Sequence, residues 1–465
     1  MKINDFVIST IVFYMAWVII PIILEVIPAI FNIFILIKKR FVKKKGEALK
    51  YLPEITIIIP VYNSADTLRN CIKSVYDSDY DNRLIYVMVV NNGGHDQSFE
   101  VFSKCQLEFP GLNMNWLTSK QGKSKALNLA LFNSSGKYII HIDSDGVLHP
   151  QALLNMVTFF EKNEDIHCVT GTILTDPALI DETDNFLLRI LRKIEFCEYA
   201  QAFLAGRNFE AEFNSIYTLS GAFSAFRKST ILKTRLYNTD TVCEDTQITF
   251  QVREWLKQKV SLCADAYFFV DPIEDVNKLY TQRQRWQRGE LEVAHMFERE
   301  KKSVKHVNKQ KKKHINVITK LILYDHTFAL PRMIWFFALP SLLLLGYPLR
   351  LVIMSMVLIY VLNVMTSFLF YICITLFLKE NKELRSYYAR KWYLIFLLPP
   401  YKSMVFWFRF AGIINAINGQ QVWRTNNLTQ EREHFVETIR KDFSVIIRVF
   451  DKMRKKTNKD KKEEV

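Results

Sequence analysis

Apolar residues are distributed along this chain in two distinct ways. Near the ends they come in long runs, and in the middle in short blocks separated by polar turns. The run from Phe6 to Ile37, interrupted by Pro21, Glu25 and Pro28, is long enough for one membrane crossing and short for two. It lacks the small-residue cleavage site of a signal peptide. Towards the other end, Val317 to Ala329 reads as an amphipathic interfacial helix. Pro331 to Tyr347 and Leu351 to Leu378 read as spans, with Gly346 and Pro348 marking a hairpin turn between them. Trp392 to Ile417 is apolar but carries Pro399, Pro400, Lys402 and Arg409, which are costly in lipid. It reads as a broken or re-entrant segment, with a full span as the alternative. After Asn418 the chain is polar and basic. Phe435, Ile439, Phe443, Ile446, Phe450 and Met453 recur there at helical spacing, and Arg454 to Val465 has the composition of a disordered tail.

Between these ends the pattern alternates. Ile55 to Ile59 is a buried strand ended by Pro60; Ala65 to Val75 has helical periodicity. Ile85 to Val90 is a second strand, running into the turn Asn91-Asn92-Gly93-Gly94. Tyr138 to Ile142 is a third, running into Asp143-Ser144-Asp145-Gly146, and Gln151 to Phe160 is again helical. Strand, loop and helix in repetition predict an α/β domain with a mostly parallel sheet and ligands at the carboxyl ends of its strands. The pattern divides the chain into an N-terminal span and basic flank (1–45), a soluble catalytic domain (46–313), an interfacial helix and C-terminal membrane region (314–425), and a helical basic tail (426–465).

Charge changes this picture in one respect. The formal net charge of +15 would suggest nucleic acid in a soluble protein. Here the basic residues cluster beside the apolar runs, at Lys38-Lys39-Arg40, Lys43-Lys44-Lys45, Lys301-Lys302 and Lys311-Lys312-Lys313. Such clusters mark cytoplasmic flanks and anionic lipid, and no recognition-helix or base-stacking motif accompanies them. The catalytic domain and tail are therefore expected in the cytoplasm and the N-terminus outside. The seven cysteines are widely spaced, form no CxxC or Cys/His pattern, and read as reduced core residues.

The candidate chemistry lies at the strand ends. Asp143 and Asp145, at i and i+2 after a strand, can meet one divalent cation, and hard oxygen ligands suit Mg²⁺ or Mn²⁺. Equally, Asp is an ordinary turn or cap residue there. Glu244-Asp245 opens a helical stretch, as an N-cap or as a general base facing a site. Gly122-Lys123 opens another, where a lysine and a helix start both favour anions. Gln282-Arg283-Gln284-Arg285-Trp286 can hold phosphate and stack on a sugar, or lie as a basic helix against headgroups.

The order of these motifs is more telling than any one of them. Pro60-Val61-Tyr62-Asn63, the turn at Asn91, Gly122-Lys123, Asp143-Ser144-Asp145, Ser220-Gly221-Ala222, Glu244-Asp245 and Gln282 to Trp286 resemble the family-2 glycosyltransferases of GT-A fold. The resemblance runs from Ile55 to Thr425 and is greatest to the processive membrane branch of cellulose, hyaluronan and poly-N-acetylglucosamine synthases. It implies a Rossmann-like GT-A domain inserted between N- and C-terminal transmembrane helices. By the same resemblance, Asp145 binds the metal with Asp143 beside it, nearer the ribose. Asp245, with Glu244, supplies the base. Tyr62, Asn63, Asn91, Asn92 and Lys123 border the nucleotide-sugar, with a UDP-sugar as the first expectation. Ser220, Gly221, Ala222, Gln282, Arg285 and Trp286 line the acceptor and diphosphate site. Two departures stand out: Asn91-Asn92 replaces the usual acidic turn, and Ser64-Ala65 stands where a glutamate is often found.

Three functions are compatible with these residues. One is processive synthesis of a cell-surface glycan by a multi-pass plasma-membrane enzyme, alone or with an export subunit. A second is transfer of one sugar to a lipid acceptor, which needs the same motifs and no channel. The third is a decayed membrane scaffold, for which Asn91-Asn92 is the support. Similar proteins occur among those that build Gram-positive cell-surface glycans.

Overall fold

The computed structural model describes residues 26–42, 51–239, 243–305 and 329–417, together with positions 19, 22, 49 and 241. The expected interfacial helix before Ala329, the basic cluster at Lys43 to Lys45 and the tail helix after Asn418 lie outside the described residues.

One eight-stranded sheet organises the catalytic domain. Its strands are β1 (Ile55–Val61), β2 (Ile85–Asn91), β3 (Asn113–Thr118), β4 (Tyr138–Ile142), β5 (Gly146–Leu148), β6 (Ile166–Thr175), β7 (Phe223–Arg227) and β8 (Lys259–Val270). They lie in the order β3-β2-β1-β4-β7-β6-β8-β5. The first four are parallel and joined by helices, as the alternating pattern predicts. The second half is mixed: β7 runs antiparallel to β4 and β6, β5 runs antiparallel to β8, and β6 and β8 are parallel. The expectation of a mostly parallel sheet therefore holds for the β3-β2-β1-β4 half.

Every residue of β1 and β4 is buried, because both faces of the sheet are covered. Ile55, Ile57, Ile59 and Val61 pack on one side, with Leu68, Cys71, Ile72 and Val75 of α2 (Leu68–Tyr76). Ile58 points to the other side, with Ala126, Leu127, Ala130 and Leu131 of α4 (Lys123–Asn133). Helix α3 (Ser98–Glu108) joins β2 to β3, and α5 (Ala152–Lys162) follows β5. Pro60 does not end β1, which continues to Val61 opposite Asn91. The ladder with β4 stops at Ile58 opposite His141, so the missing amide of Pro60 falls beyond it.

Helix α6 (Phe186–Tyr199) runs into a π-helical segment, Ala200–Gly206, and then into α7 (Arg207–Glu212). Helix α8 (Glu244–Phe250) precedes β8, and α9 (Val276–Lys305) carries the Gln282 to Trp286 motif. The apolar elements are α1 (Ile27–Val42), α10 (Ala329–Leu344) and α11 (Leu349–Phe377). Among the described residues, α11 is the one helix long and apolar enough to cross a membrane. Helix α10 has 16 residues and includes Pro340. Helix α12 (Lys382–Ala389) leads to a 3₁₀ turn, Trp392–Phe396, and then α13 (Leu398–Ile417).

Helix α13 explains the polar residues in the expected broken segment: it lies along α9. Lys402 Nζ donates to Gln201 Oε1 at 2.7 Å, and Arg409 Nε donates to Gln287 Oε1 at 2.8 Å. The approach is close at Gly412, where a Cβ would stand 2.7 Å from the Gln284 carbonyl oxygen. Gly412→Ala should therefore lower thermal stability in detergent by about 1–3 kcal/mol, the usual cost of overpacking. A melting temperature unchanged from wild type would show that α13 does not seat on α9 at this point.

Candidate functional site

β1 pairs with β2 on one side and β4 on the other, so the chain order reverses there and the carboxyl ends of these strands open a crevice. Three loops meet in it. Asp143, Ser144 and Asp145 form the turn between β4 and β5. Asp143 N donates to Ala222 O at 3.1 Å, and Ser144 Oγ lies 2.8 Å from Ser64 Oγ after β1. The turn is thus fastened to both the β1 loop and the Ser220–Ala222 loop.

Lys123 opens α4 behind Gly122, whose φ of +132° is ready for glycine and strained for other residues. Its Nζ donates to Asp143 Oδ1 at 2.6 Å and lies 3.4 Å from Glu244 Oε1. Asp245 follows in the first turn of α8, where the helix dipole favours a carboxylate. Asp245 Oδ2 accepts from Gly221 N at 3.1 Å and Oδ1 from Thr246 N at 2.6 Å. Thr249 Oγ1 donates to the Asp245 carbonyl at 2.6 Å, and Ser220 N donates to Thr170 Oγ1 at 3.2 Å. These bonds fix the direction of the Asp245 carboxylate. A Cβ at Gly221 would stand 3.1 Å from Asp245 Oδ2 and 3.5 Å from Lys123 Nζ, so Lys123, Asp143, Glu244, Asp245 and Gly221 share one small volume.

The charges perturb one another. Burial raises the pKa of Glu244; Lys123 opposes that rise and Asp245 adds to it. Asp145 is open to solvent at the mouth of the cleft but surrounded by the domain, and burial, with Asp143 adding, pushes its pKa up to about 6. Burial alone would lower Lys123, but Asp143 and Glu244 outweigh it, and the group stays an ammonium. His141 on β4 is held down to about 3 by burial, with Lys123 adding, and remains a neutral ring 2.9 Å from Tyr237 Oη.

Asp143 and Asp145 offer hard oxygen atoms of the kind Mg²⁺ and Mn²⁺ take. Among the described residues no group of three or more His, Cys, Asp or Glu side chains is arranged to hold a metal ion. Two carboxylates in an open cleft leave the remaining positions to ligand oxygens and water, the usual arrangement for a cation that arrives with phosphate. The residues present therefore fit a divalent ion held jointly with an anionic ligand.

The turn after β2 has a different character from the one expected. Asn91 Oδ1 accepts from Gly94 N at 2.8 Å and its Nδ2 donates to Gly94 O at 3.1 Å. Asn92 is buried, and its Oδ1 accepts from Gly122 N. Asn63, in the left-handed region with φ +51°, accepts at Oδ1 from His95 N at 3.0 Å. These amides build the loop and tie it to the start of α4. Tyr62 is 51% exposed on the rim.

On α9 the two arginines face different ways. Arg285 is exposed and near enough to Cys243 to weigh on its thiol. Arg283 is buried, its Nη2 2.6 Å from Glu198 Oε2, with its guanidinium 4.5 Å from the Trp286 ring centroid and 5.3 Å from that of Tyr199. Trp286, half-buried, also stands 6.3 Å from Phe203. Tyr401 of α13 donates to the same Glu198 oxygen at 2.7 Å, and Tyr199 Oη donates weakly to Gln282 Oε1 at 3.5 Å. Glu198, Tyr199 and Tyr401 are not visible as site residues in the sequence. Their link to Arg283 bridges 85 positions in one case and none of them belongs to a motif.

Residues 56–233 match the family model described as glycosyl transferase family 2, and this stretch is a domain of that family. Among curated proteins, the chain is similar to the poly-beta-1,6-N-acetyl-D-glucosamine synthase of a Staphylococcus epidermidis strain. The two are 27% identical over 271 residues, 57% of this chain and 59% of that protein. The Staphylococcus aureus protein of the same name is 25% identical over 252 residues, 54% and 58% of the two chains. The matches thus span less than two thirds of these relatives' own length. A solved mannosyltransferase from Pyrobaculum calidifontis, in complex with GDP-Man and Mn²⁺, shares the fold. It is 14% identical with a TM-score of 0.52 over 88% of this chain and 99% of that one.

The Glu198 junction yields a direct expectation. Glu198→Ala leaves the buried Arg283 guanidinium without its carboxylate and should destabilise the protein by about 3–5 kcal/mol. Tyr401→Phe removes one hydrogen bond to the same oxygen and should cost about 1.5–3 kcal/mol. Equal melting temperatures for Glu198→Ala and wild type would rule out the ion pair as a structural tie.

Proposed function

We propose that this chain, starting from its family 2 domain, is an inverting membrane glycosyltransferase. It adds hexose or N-acetylhexosamine units from a nucleotide-sugar to a growing cell-surface glycan at the cytoplasmic face of the plasma membrane. The observation that carries the reading is the convergence of Lys123, Asp143, Glu244 and Asp245 on Gly221 at the strand ends. The similarity to poly-beta-1,6-N-acetyl-D-glucosamine synthases supports polymer formation. Helix α11 and the basic end of α1, Lys38-Lys39-Arg40, support a membrane setting with lipid contacts.

In this reading each side chain has a task. Asp245, oriented by Gly221 N and Thr246 N, takes the proton of the acceptor hydroxyl as its oxygen bonds to the anomeric carbon. The bond from that carbon to the diphosphate oxygen breaks on the opposite face, so the anomeric centre inverts in one displacement. Glu244 sits beside the base and holds Lys123 in place. Lys123 and the start of α4 face the diphosphate. Tyr62, Asn63, Asn91 and Asn92 shape the nucleotide side of the cleft. Ser220, Gly221, Ala222 and Gln282 border the acceptor, Trp286 offers an aromatic face to a sugar, and Arg285 reaches for phosphate. Asp145 and Asp143 would hold Mg²⁺ or Mn²⁺, which supplies electrostatic stabilisation of the departing diphosphate when bound.

Purified protein in lipid, given a panel of nucleotide-sugars with Mn²⁺, should release nucleoside diphosphate from one donor and build long product. Product limited to one sugar on lipid would instead identify a single-transfer enzyme, and folded protein with no turnover on any donor would point to the scaffold. Asp245→Asn should retain donor binding and lose about 10²–10⁴ in turnover, the usual worth of a general base; normal turnover would remove Asp245 from the chemistry. pH supplies a separate check. Asp145 is ionised above its raised value of about 6 and protonated below it, so Mn²⁺-dependent donor binding should fall as the pH drops through about 6. Binding that stays flat down to pH 5 would exclude Asp145 as a ligand.

A further inference from the structure

An ammonium occupies the place in the cleft where a divalent ion would find its oxygen ligands. Lys123 Nζ lies 2.6 Å from Asp143 Oδ1 and 3.4 Å from Glu244 Oε1, and the Gly221 backbone brings Asp245 into the same volume. The side chains of Lys123, Asp143 and Glu244 are 25%, 29% and 12% exposed, so water screens these charges poorly. A divalent ion on Asp143 and an ammonium hydrogen-bonded to the same carboxylate repel each other at that range. The ammonium therefore competes with the ion in the free protein. Lys123 is also the first residue of an 11-residue helix whose amino end favours anions. A diphosphate entering the cleft gives the ammonium a second partner of higher charge.

We propose that Lys123 is an exchangeable counter-cation: it holds the carboxylates while the site is empty and yields Asp143 to the divalent ion only when a nucleoside diphosphate offers its ammonium a replacement. The proposal rests on the metal-and-donor reading above and adds an order to it. Ion and nucleotide enter together, and the ion alone binds weakly. Glu244 becomes a positioning residue in this scheme, keeping the ammonium near both of its alternative partners.

The test is Mn²⁺ binding to the full chain in detergent, read from the electron paramagnetic resonance signal of free Mn²⁺. Wild type should bind Mn²⁺ alone weakly and the preformed Mn²⁺–UDP complex more tightly. K123Q should bind Mn²⁺ alone at least about tenfold more tightly than wild type, because a neighbouring positive charge is gone. It should bind Mn²⁺–UDP less tightly than wild type does. K123R keeps the charge and should remain close to wild type with Mn²⁺ alone. K123M repeats the comparison if K123Q does not fold by circular dichroism. K123Q or K123M binding Mn²⁺ alone no better than wild type would overturn the proposal, as would K123R binding as tightly as K123Q. D145N distinguishes the two levels of the argument: if it retains full Mn²⁺ binding, the metal-site reading itself fails, whatever Lys123 does.

Discussion

The architecture depends on one constraint, the complete burial of β1 and β4. Two parallel neighbours covered on both faces have no room for polar side chains along their length, so polar residues gather where the strands end. The reversal of strand order places those ends beside a crevice. Tyr62 and Asn63 follow β1, the Asn91 turn follows β2, and Asp143 to Asp145 follow β4. The remaining site residues come from elsewhere in sequence but are fastened to these ends by backbone bonds, as Ala222 is to Asp143 and Gly122 to Asn92. The cleft is thus a by-product of the core, and its charges are held where the core stops.

Much of this was legible beforehand. The strand starts, the helix after each strand and the clustering of acidic and amide residues at strand ends all follow from periodicity and turn chemistry. Pro60 shows where such reading stops, since a proline normally closes a central strand. Whether it does so depends on how far the neighbouring strand extends, and β4 ends early. The mixed half of the sheet was hidden for a related reason. Short β5 and β7 acquire their direction from partners far away in sequence, and no local pattern records that.

The Gln282 to Trp286 motif shows a second limit. Arg283 and Arg285 are two positions apart, about 200° around a helix, so they cannot share an environment. Sequence alone does not say which one turns inward. The structure resolves it through Glu198 and Tyr401, which place Arg283 under Trp286 and leave Arg285 outward. A buried cation stacked on the indole and paired behind it stiffens the aromatic face from below. The same junction couples α13 to the catalytic domain, so the apolar C-terminal region and the motif helix form one packed unit through α9.

The π-helical stretch between α6 and α7 carries a consequence for how relatives of this chain can differ in length. A wider turn accommodates residues that a regular α-helix would have to place further along. Removing one residue between Ala200 and Gly206 would tighten the coil and rotate everything after it by about 100° relative to what precedes it. Glu198 and Tyr199 would keep their hold on Arg283, while Arg207, Asn208 and Glu210 would swing out of their buried positions. The segment therefore acts as a phase setting between two faces of one rod, and its tolerance for insertion or deletion should be far lower than its small, apolar residues suggest.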